Sequence, residues 1–274
     1  MSVEEHYHAA ECTCASHLCD VPATLVRKQQ IAADVWIITF EAAAIAQMAK
    51  PGNFVTIKVN STTQPLLRRP FSIHNVQGSL LDVMVKNVGS ASNILCSMSD
   101  GSTCFMLGAL GNSFSFDSPS FDVGVLVSGG IGTAPMLFLQ QQLAAQGKEW
   151  VHLLGGRTKH DVLAYNLSNC RVATDDGSEG FCGTTVDLLR HELPNLRALG
   201  RLQLFACGPN GMLRALATLC GEEQLACELS LEAVMGCGIG ICYGCTVEVN
   251  DLAGGRRMLL LCQEGAVING DLLI

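Results

Sequence analysis

Three cysteines lie within nine residues near the carboxyl end of the chain, in the stretch CGIGICYGC that begins at Cys237. Glycine occupies most of the positions between them, so this stretch has little tendency to form an ordinary helix or strand. Cys237, Cys242 and Cys245 follow the spacing C-x₄-C-x₂-C, and Cys262 comes one short pair of strands later. The stretch is therefore predicted to be a loop that brings four thiols together.

This spacing is the plant-type ferredoxin arrangement for a [2Fe–2S] cluster. Glycines in such a loop keep side chains away from the diiron centre and leave backbone N–H groups free to point at the sulfurs. A zinc site and a set of buried structural thiols are the alternatives. Zinc sites usually combine C-x₂-C elements, and buried thiols would not need the glycines at positions 236, 238, 240 and 244. The pattern favours a one-electron carrier.

Composition limits where such a chain works. Its 274 residues carry a formal net charge of −8 at pH 7, which argues against binding to nucleic acid or to an anionic membrane surface. The most apolar stretch, VGVLVSGGIGTAPMLFL, is interrupted by glycines and a proline, and indicates a buried strand, a tight loop and a helix rather than a membrane span. No secretory signal is visible at the N-terminus. The fourteen cysteines are thus expected to be thiols or metal ligands in a cytoplasmic protein.

The hydrophobic pattern predicts a multidomain protein with four zones. Residues 1–20 form a Cys/His-rich extension without periodicity. Residues 21–118 contain short β-type runs separated by turn residues, which predict an antiparallel sheet or barrel, and the flavin-binding resemblance given below implies the barrel. Residues 119–226 alternate buried strands with helical patterns, which predicts a parallel α/β domain. Residues 227–274 hold the cysteine pattern and are predicted to form a small module resembling plant ferredoxin.

Two segments of the barrel zone resemble known flavin-binding motifs. RRPFSI at residues 68–73 and VGSASNIL at residues 88–95 resemble the R-x-[YF]-S motif and the glycine-led phosphate turn of the ferredoxin–NADP⁺ reductase superfamily. That resemblance implies that FAD is bound by Arg69, Pro70, Phe71, Ser72, Gly89, Ser90 and Ser92. An edge strand with a proline and a solvated arginine pair is the alternative.

The resemblance also assigns roles to these residues. Arg69 would pair with the FAD pyrophosphate, because its planar fork suits phosphate. Phe71 would lie against the isoalloxazine ring, and Ser72 would hydrogen-bond near its reactive nitrogen N5. Amides and hydroxyls of the glycine-led turn would bind the phosphates.

The α/β zone carries two motifs that resemble the nicotinamide-binding turns of the same superfamily. VSGGIGTAPML follows a buried strand and opens a helix, where glycines let the backbone approach a pyrophosphate. ACGPNGML matches the C-G-P element that lies beside the nicotinamide, with Cys207 as a packing residue and not a nucleophile. A buried thiol at a strand end is the alternative for Cys207. The implied NAD-binding residues of both motifs are Gly129, Gly130, Gly132, Thr133, Cys207 and Gly208.

Two acidic residues bear on the choice between NAD and NADP. Asp175 and Asp176 follow the next buried strand, where a carboxylate accepts hydrogen bonds from ribose hydroxyls and repels a 2′-phosphate. Arg157 and Lys159 are the evidence for NADP, because they could bind that phosphate. The balance favours NAD.

The order of barrel, α/β domain and C-terminal cluster module resembles one family in particular, the electron-transfer subunits of NAD-linked (type B) dihydroorotate dehydrogenase. The likeness covers nearly the whole chain after residue 21 and is closest in LGALGNSF, TDDGSEG, LSLEAVMGCGIGICYGC and CQEGAVING. Ala109 stands where the family has proline, Ser113 where it has glycine, and Ser92 where threonine is more usual. These exchanges of small residues leave a flavin site plausible.

The resemblance implies an electron relay in pyrimidine biosynthesis. A separate FMN-containing catalytic subunit would oxidise dihydroorotate to orotate, and this chain would pass the electrons through the [2Fe–2S] cluster and FAD to NAD⁺. No side chain of this chain is expected to act as a catalytic acid or base. A heterotetramer with two copies of each subunit is implied.

Two alternative functions stay open for this chain. A reductase of the same superfamily could serve an oxygenase, a complex of sulfur or hydrogen metabolism, or an electron-bifurcating ferredoxin–NAD(P) oxidoreductase, since a fold does not fix its function. A non-catalytic redox sensor is a second alternative, against which the intact turns argue.

The extension holds Cys12, Cys14 and Cys19 with three histidines. It could ligate a metal, but a solvated tail is expected because it has no packed frame.

Overall fold

The computed structural model describes residues 19–251 and 254–273 of the chain. Cys19 begins the first strand, so the predicted N-terminal extension overlaps that strand. Cys12 and Cys14 lie outside the described residues, as does the metal site considered there.

The first domain is an antiparallel barrel. In the described part of the chain, six strands close on themselves in the order β1-β2-β5-β4-β3-β6, with every neighbouring pair antiparallel. The elements of this domain are β1 (Cys19–Ala32), β2 (Val35–Glu41), α1 (Ala43–Ala46), β3 (Phe54–Lys58), β4 (Arg69–Gln77), β5 (Leu80–Lys86), α2 (Ser90–Ser97) and β6 (Thr103–Leu110).

Alternation along these strands fills the barrel with aliphatic and aromatic side chains. Val55 and Ile57 of β3, Ile73 of β4 and Val83 of β5 are fully buried in one core cluster with Phe40. Because successive residues of a strand point to opposite faces, the residues between them face outward. Pro70 and Ser72 of β4 therefore lie on the outside of the barrel, where the second domain packs.

The second domain is a parallel sheet flanked by helices. Its elements are β7 (Val123–Gly129), α3 (Met136–Ala145), β8 (Glu149–Gly156), β9 (Cys170–Thr174), β10 (Phe181–Cys182), α4 (Thr185–Arg197), β11 (Leu202–Cys207), α5 (Asn210–Glu223) and β12 (Ala226–Ser230). All seven residues of β7 are buried, as expected for a central strand covered on both faces.

The strand order of this sheet creates a binding crevice. The order is β10-β9-β8-β7-β11-β12, with all of these neighbours parallel. After β7 the chain adds β8, β9 and β10 on one side of that strand. It then returns to form β11 on the other side of β7. Ligands of open α/β sheets bind at such a switch point, beyond the carboxyl ends of the strands. Here those ends are Gly129 and Cys207.

The third domain is small and shares a strand pairing with the second. It contains β13 (Thr246–Asn250), β14 (Arg256–Leu260), α6 (Leu261–Glu264) and β15 (Val267–Asn269). β13 and β14 form a hairpin, whereas β15 returns to pair antiparallel with β12 at the edge of the large sheet. The segment predicted to begin the cluster module at residue 227 thus starts inside a strand of the second domain.

The three predicted architectures are therefore confirmed: an antiparallel barrel, a parallel sheet with helices and a C-terminal cluster module. Across the described ranges, helices are too short or too polar to cross a membrane.

Candidate functional site

Two adjoining cavities lie where the barrel meets the parallel sheet. The first, called here the glycine-turn cavity, has a volume of about 570 Å³ and opens beyond the carboxyl ends of β7 and β11. The second, called here the barrel cavity, has a volume of about 320 Å³ and lies against the outer face of β4. Lys86, Ile131 and Glu232 line both cavities. Ligands in the two cavities would thus be in close reach of each other.

The predicted nicotinamide turns form one wall of the glycine-turn cavity. Its lining includes Gly129, Gly130 and Gly132 of one turn and Gly208 of the other. The two turns pack so closely that a β-carbon on Gly132 would lie 2.4 Å from the carbonyl oxygen of Cys207. Gly130 has a positive φ of 54° and open space above it. Backbone can therefore approach a ligand here, which fits a dinucleotide pyrophosphate.

A buried hydrogen-bond network supports the first turn from below. The Oγ of Ser128 lies 3.1 Å from Oγ1 of Thr133 and 3.1 Å from Nε2 of His152. All three side chains are at most 1% exposed. Burial lowers the pKa of His152 to about 3, so its ring is neutral. The side chain of Thr133 is thus engaged beneath the turn and does not line the cavity.

The two predicted ribose acids are placed differently. Asp175 lines the glycine-turn cavity. Asp176 turns away and accepts hydrogen bonds from the amide and hydroxyl of Ser178, which lower its pKa. Arg157 also lines the cavity, and its Nε lies 3.8 Å from Oδ2 of Asp161. Lys159 is exposed and does not line the cavity.

The barrel cavity gathers part of the predicted flavin motif. Pro70, Phe71 and Ser72 line it from the barrel side, and Cys207 lines it from the sheet side. Met235 and Ala266, which flank the cluster cysteines in sequence, complete the wall. This cavity therefore touches all three domains, and its apolar walls suit a planar ring.

The remaining flavin residues lie around this cavity but not in its lining. Arg69 is half-buried, and its Nη1 donates to the carbonyl oxygens of Leu67 and Arg68 at 2.9 and 3.2 Å. Gly89 and Ser90 are exposed at the start of α2, next to Val88 of the lining. The role of these three in phosphate binding stays a prediction.

Ser92 organises the turn that precedes α2. Its Oγ accepts hydrogen bonds from the N–H groups of Val88 and Gly89, both at 3.0 Å, and donates to the carbonyl oxygen of Gly89 at 2.9 Å. The side chain is 7% exposed. Its hydroxyl therefore shapes the turn, and a direct contact with phosphate stays a prediction.

Cys207 is an unreactive thiol. It is 2% exposed, and burial together with the negative charge of Glu232 raises its pKa to about 12. Since the thiolate is the nucleophilic form, the raised pKa keeps Cys207 in its protonated, weakly nucleophilic form at neutral pH. Its position in the wall of the barrel cavity, directly before Gly208 of the glycine-turn cavity, suits packing against a ligand.

The four predicted cluster cysteines all accept hydrogen bonds from backbone N–H groups. Cys237 accepts from Ile239 and Cys242 at 3.4 Å, and Cys242 accepts from Gly244 at 3.4 Å. Cys245 accepts from Cys262 at 3.5 Å, and Cys262 accepts from Gly240 at 3.1 Å. Donors aimed at every sulfur are what a negatively charged iron–sulfur cluster requires.

The pKa of the half-buried Cys237 differs from that of the buried Cys262. Burial opposes ionisation of Cys237, but the N–H groups of Ile239 and Cys242 outweigh it and lower its pKa to about 6. Burial and the neighbouring sulfur of Cys245 raise the pKa of Cys262 to about 12. Iron coordination would deprotonate such a thiol outright.

A diiron cluster spreads its four thiolates around two metal atoms. Among residues 19–251 and 254–273, no three His, Cys, Asp or Glu side chains are arranged to hold one metal ion. The four thiols, with their C-x₄-C-x₂-C spacing and a backbone N–H directed at each sulfur, fit the four-thiolate ligand set of a [2Fe–2S] cluster.

Two charged residues of the site were missed at the sequence level. Lys86 ends β5 and Glu232 follows β12, and both reach the shared wall of the two cavities. Burial raises the pKa of Glu232, although the residue retains exposed surface toward the open cavities. A charged residue that directly follows a run of buried residues was the available signal for both.

Comparisons with known proteins agree with this arrangement. A family model described as the iron–sulfur cluster binding domain of dihydroorotate dehydrogenase B matches residues 232–274. The dihydroorotate dehydrogenase B (NAD⁺) electron transfer subunit of Desulforamulus reducens is 34% identical over 252 residues, which cover 89% of this chain and 94% of that protein. The subunit of the same name from Bacillus cereus strain Q1 is 34% identical over 251 residues, with the same coverage.

A solved structure shares the fold over nearly the whole chain. It is the NADH-dependent reduced ferredoxin–NADP oxidoreductase, described in connection with flavin-based electron bifurcation. The TM-score is 0.79 at 24% sequence identity, and the match covers 92% of this chain and 89% of that chain. With its cluster-binding domain and its identity to full-length relatives, the chain belongs to the family of dihydroorotate dehydrogenase B electron transfer subunits.

Proposed function

We propose that this chain passes electrons from a dihydroorotate-oxidising partner subunit to NAD⁺, with a [2Fe–2S] cluster and FAD as its carriers. The observation that carries the proposal is that the two cavities share a wall and that the cluster domain lines one of them. The glycine-turn cavity and the barrel cavity share Lys86, Ile131 and Glu232. The barrel cavity in turn includes Met235 and Ala266 from the cluster domain.

When bound, FAD would exchange single electrons with the cluster and a hydride with NAD⁺. The chain's own residues would hold these groups. Pro70, Phe71 and Ser72 would bind the flavin ring from the barrel, with Cys207 packing from the sheet. The residues for the FAD phosphates would be Arg69, Gly89, Ser90 and Ser92.

The glycine-turn cavity would bind the dinucleotide. Gly129, Gly130 and Gly132 would admit its pyrophosphate, while Asp175 would accept from the adenosine ribose. A carboxylate at this place repels a 2′-phosphate, which supports NAD over NADP. The exposed Arg157 at the same rim is the residue that could counter this preference.

The cluster would be held by Cys237, Cys242, Cys245 and Cys262. Their loop carries exposed apolar side chains at its tip: Ile241 is 73% and Tyr243 is 69% exposed, and the nearby Val234 is 85% exposed. Exposed apolar residues beside a redox centre suit a protein interface. We infer that the catalytic subunit, an FMN protein in a complex with two copies of each chain, docks here.

The proposal is tested by isolating the chain anaerobically with its bound proteins from native cells. The complex is then assayed for dihydroorotate-dependent reduction of NAD⁺ and of NADP⁺. We expect NAD⁺ to be reduced and a second flavoprotein to co-purify. A complex that carries FAD and a [2Fe–2S] cluster but does not oxidise dihydroorotate would refute the assigned partner. The co-purifying protein would then identify a different electron donor or acceptor.

A further inference from the structure

Thr56 lies on the outer face of the barrel between the two proposed redox sites. Its neighbours Val55 and Ile57 are buried in the barrel core, so the side chain of Thr56 points outward, on the same face as Phe54. Phe54 lines the barrel cavity. Along the sheet, Thr56 is paired with Pro70 of β4 and Leu107 of β6.

The cluster loop covers this side chain. Thr56 is 2% exposed. A β-carbon built on Gly238 would lie 3.0 Å from Cγ2 and 3.7 Å from Oγ1 of Thr56, and 3.3 Å from Cδ1 of Leu110. Gly238 follows Cys237 directly and has a φ of +75°. The side chain of Thr56 is thus packed against the backbone of the loop that carries the first cysteine, with its methyl group nearer to Gly238 than its hydroxyl.

This hydroxyl has no hydrogen-bond partner among the residues that the structure describes. A buried hydroxyl without a partner is unfavourable, so native proteins nearly always provide one. Of the groups that the proposed function adds to this region, the flavin and the cluster could accept a hydrogen bond from it. Thr56 does not line the barrel cavity, although Phe54 does. Its contact with Gly238 places it on the cluster side.

We propose that the hydroxyl of Thr56 donates a hydrogen bond to a sulfur of the [2Fe–2S] cluster and thereby raises the reduction potential of that cluster. The inference rests on the cluster site of the proposed function. Hydrogen bonds to the sulfurs and the charge of the cluster set the potential of such centres. Reduction adds one negative charge, and a donor stabilises the more negative state more strongly.

The test compares three variants of the purified complex by redox titration, with the reduced cluster followed by EPR and the flavin by absorbance. Thr56→Val removes the hydroxyl and keeps the shape of the side chain, whereas Thr56→Ser keeps the hydroxyl. Leu110→Met changes a second apolar contact of Gly238 without removing a donor. We expect Thr56→Val to lower the equilibrium constant for one-electron reduction of the cluster about tenfold. This corresponds to a reduction potential that is lower by about 59 mV. Thr56→Ser and Leu110→Met should stay close to the wild type.

The outcomes separate the inference from the proposed function. Absence of a [2Fe–2S] signal in the wild-type complex would overturn the cluster site itself. An unchanged cluster potential in Thr56→Val, or a shift found only in the flavin, would overturn the role of Thr56 and leave the cluster site standing. If Thr56→Val does not assemble, Thr56→Ala removes the same hydroxyl with less crowding and carries the same comparison.

Discussion

The backbone N–H of Gly240 donates a hydrogen bond to Sγ of Cys262, which lies 22 positions further along the chain, at a distance of 3.1 Å. This bond joins the cysteine loop to the short helix α6. Gly240 has a φ of +82°, and a β-carbon there would lie 2.8 Å from Cγ of Gln263. A side chain at this position would strain the backbone and require Gln263 to move, so glycine favours closure of the loop over Cys262.

Replacing Cys262 by serine tests its proposed role as a ligand of the cluster. We expect Cys262→Ser to lose most of its iron and acid-labile sulfide, because an alcohol is a poor ligand for a site built for four thiolates. FAD should be retained, since Cys262 does not line the barrel cavity. The measurement is iron, sulfide and flavin content of the purified protein. Cys182→Ser, which changes an exposed cysteine far along the chain from the cluster, should keep full iron content; a similar loss in both would contradict the assignment.

Cofactor choice should depend on one of two adjacent acids. Asp175→Asn should raise the KM for NAD⁺ about tenfold, a loss of about 1.4 kcal/mol, and should improve the relative use of NADP⁺. Asp176→Asn should have a smaller effect, because that carboxylate is engaged with Ser178. Steady-state kinetics with both dinucleotides decide between them. A larger change in Asp176→Asn would reverse the assignment of the ribose acid.

The neutral buried imidazole of His152 predicts acid sensitivity. Its pKa in the folded chain is about 3, below the value of about 6.5 in an unfolded chain. As the pH falls from about 6.5 toward 3, the unfolded chain takes up a proton that the folded chain does not. Stability is therefore lost at up to about 1.4 kcal/mol per pH unit.

His152→Gln removes this titration. The fall in Tm between pH 7 and pH 5 should be smaller in His152→Gln than in the wild type. His160 is exposed, so His160→Gln should keep the wild-type fall. Equal falls in the wild type and both variants would show that His152 does not contribute.

The apolar tip of the cluster loop should bind the partner. Replacing Tyr243 by glutamate should weaken association by about 2 kcal/mol, as for a buried aromatic residue of an interface, and Ile241→Glu should act in the same direction. Leu199→Glu is the control, because Leu199 is also exposed (57%) but follows α4 of the second domain. Sedimentation of the mixed subunits measures the association, and NADH–dye reduction shows that the flavin site is intact. Full association of both loop variants would place the interface elsewhere.

The motifs with fixed spacing could be found in the sequence, because their chemistry requires particular residues close together along the chain. The four cysteines, the glycine turn at residues 129–132 and the C-G-P turn are of this kind. The structure brings the last two into contact at Gly132 and Cys207. Here local spacing was sufficient to predict architecture.

Residues whose role depends on packing between distant elements could not be predicted. Lys86 of β5 lies in the barrel, and Glu232 follows β12 of the second domain. They meet at one wall only because the two domains pack against each other. The return of β15 to the large sheet likewise depends on pairing of Leu229 with Ile268. Thr56 belongs to no sequence motif. Its proposed role depends on its contact with Gly238, which is far away along the chain.

The most direct test of the relay is an anaerobic titration of the purified complex with dihydroorotate, followed by EPR of the cluster. We expect dihydroorotate to reduce the [2Fe–2S] cluster held by Cys237, Cys242, Cys245 and Cys262, and added NAD⁺ to reoxidise it. A cluster that NADH reduces but dihydroorotate does not would contradict the account. The chain would then be a reductase component for a different partner.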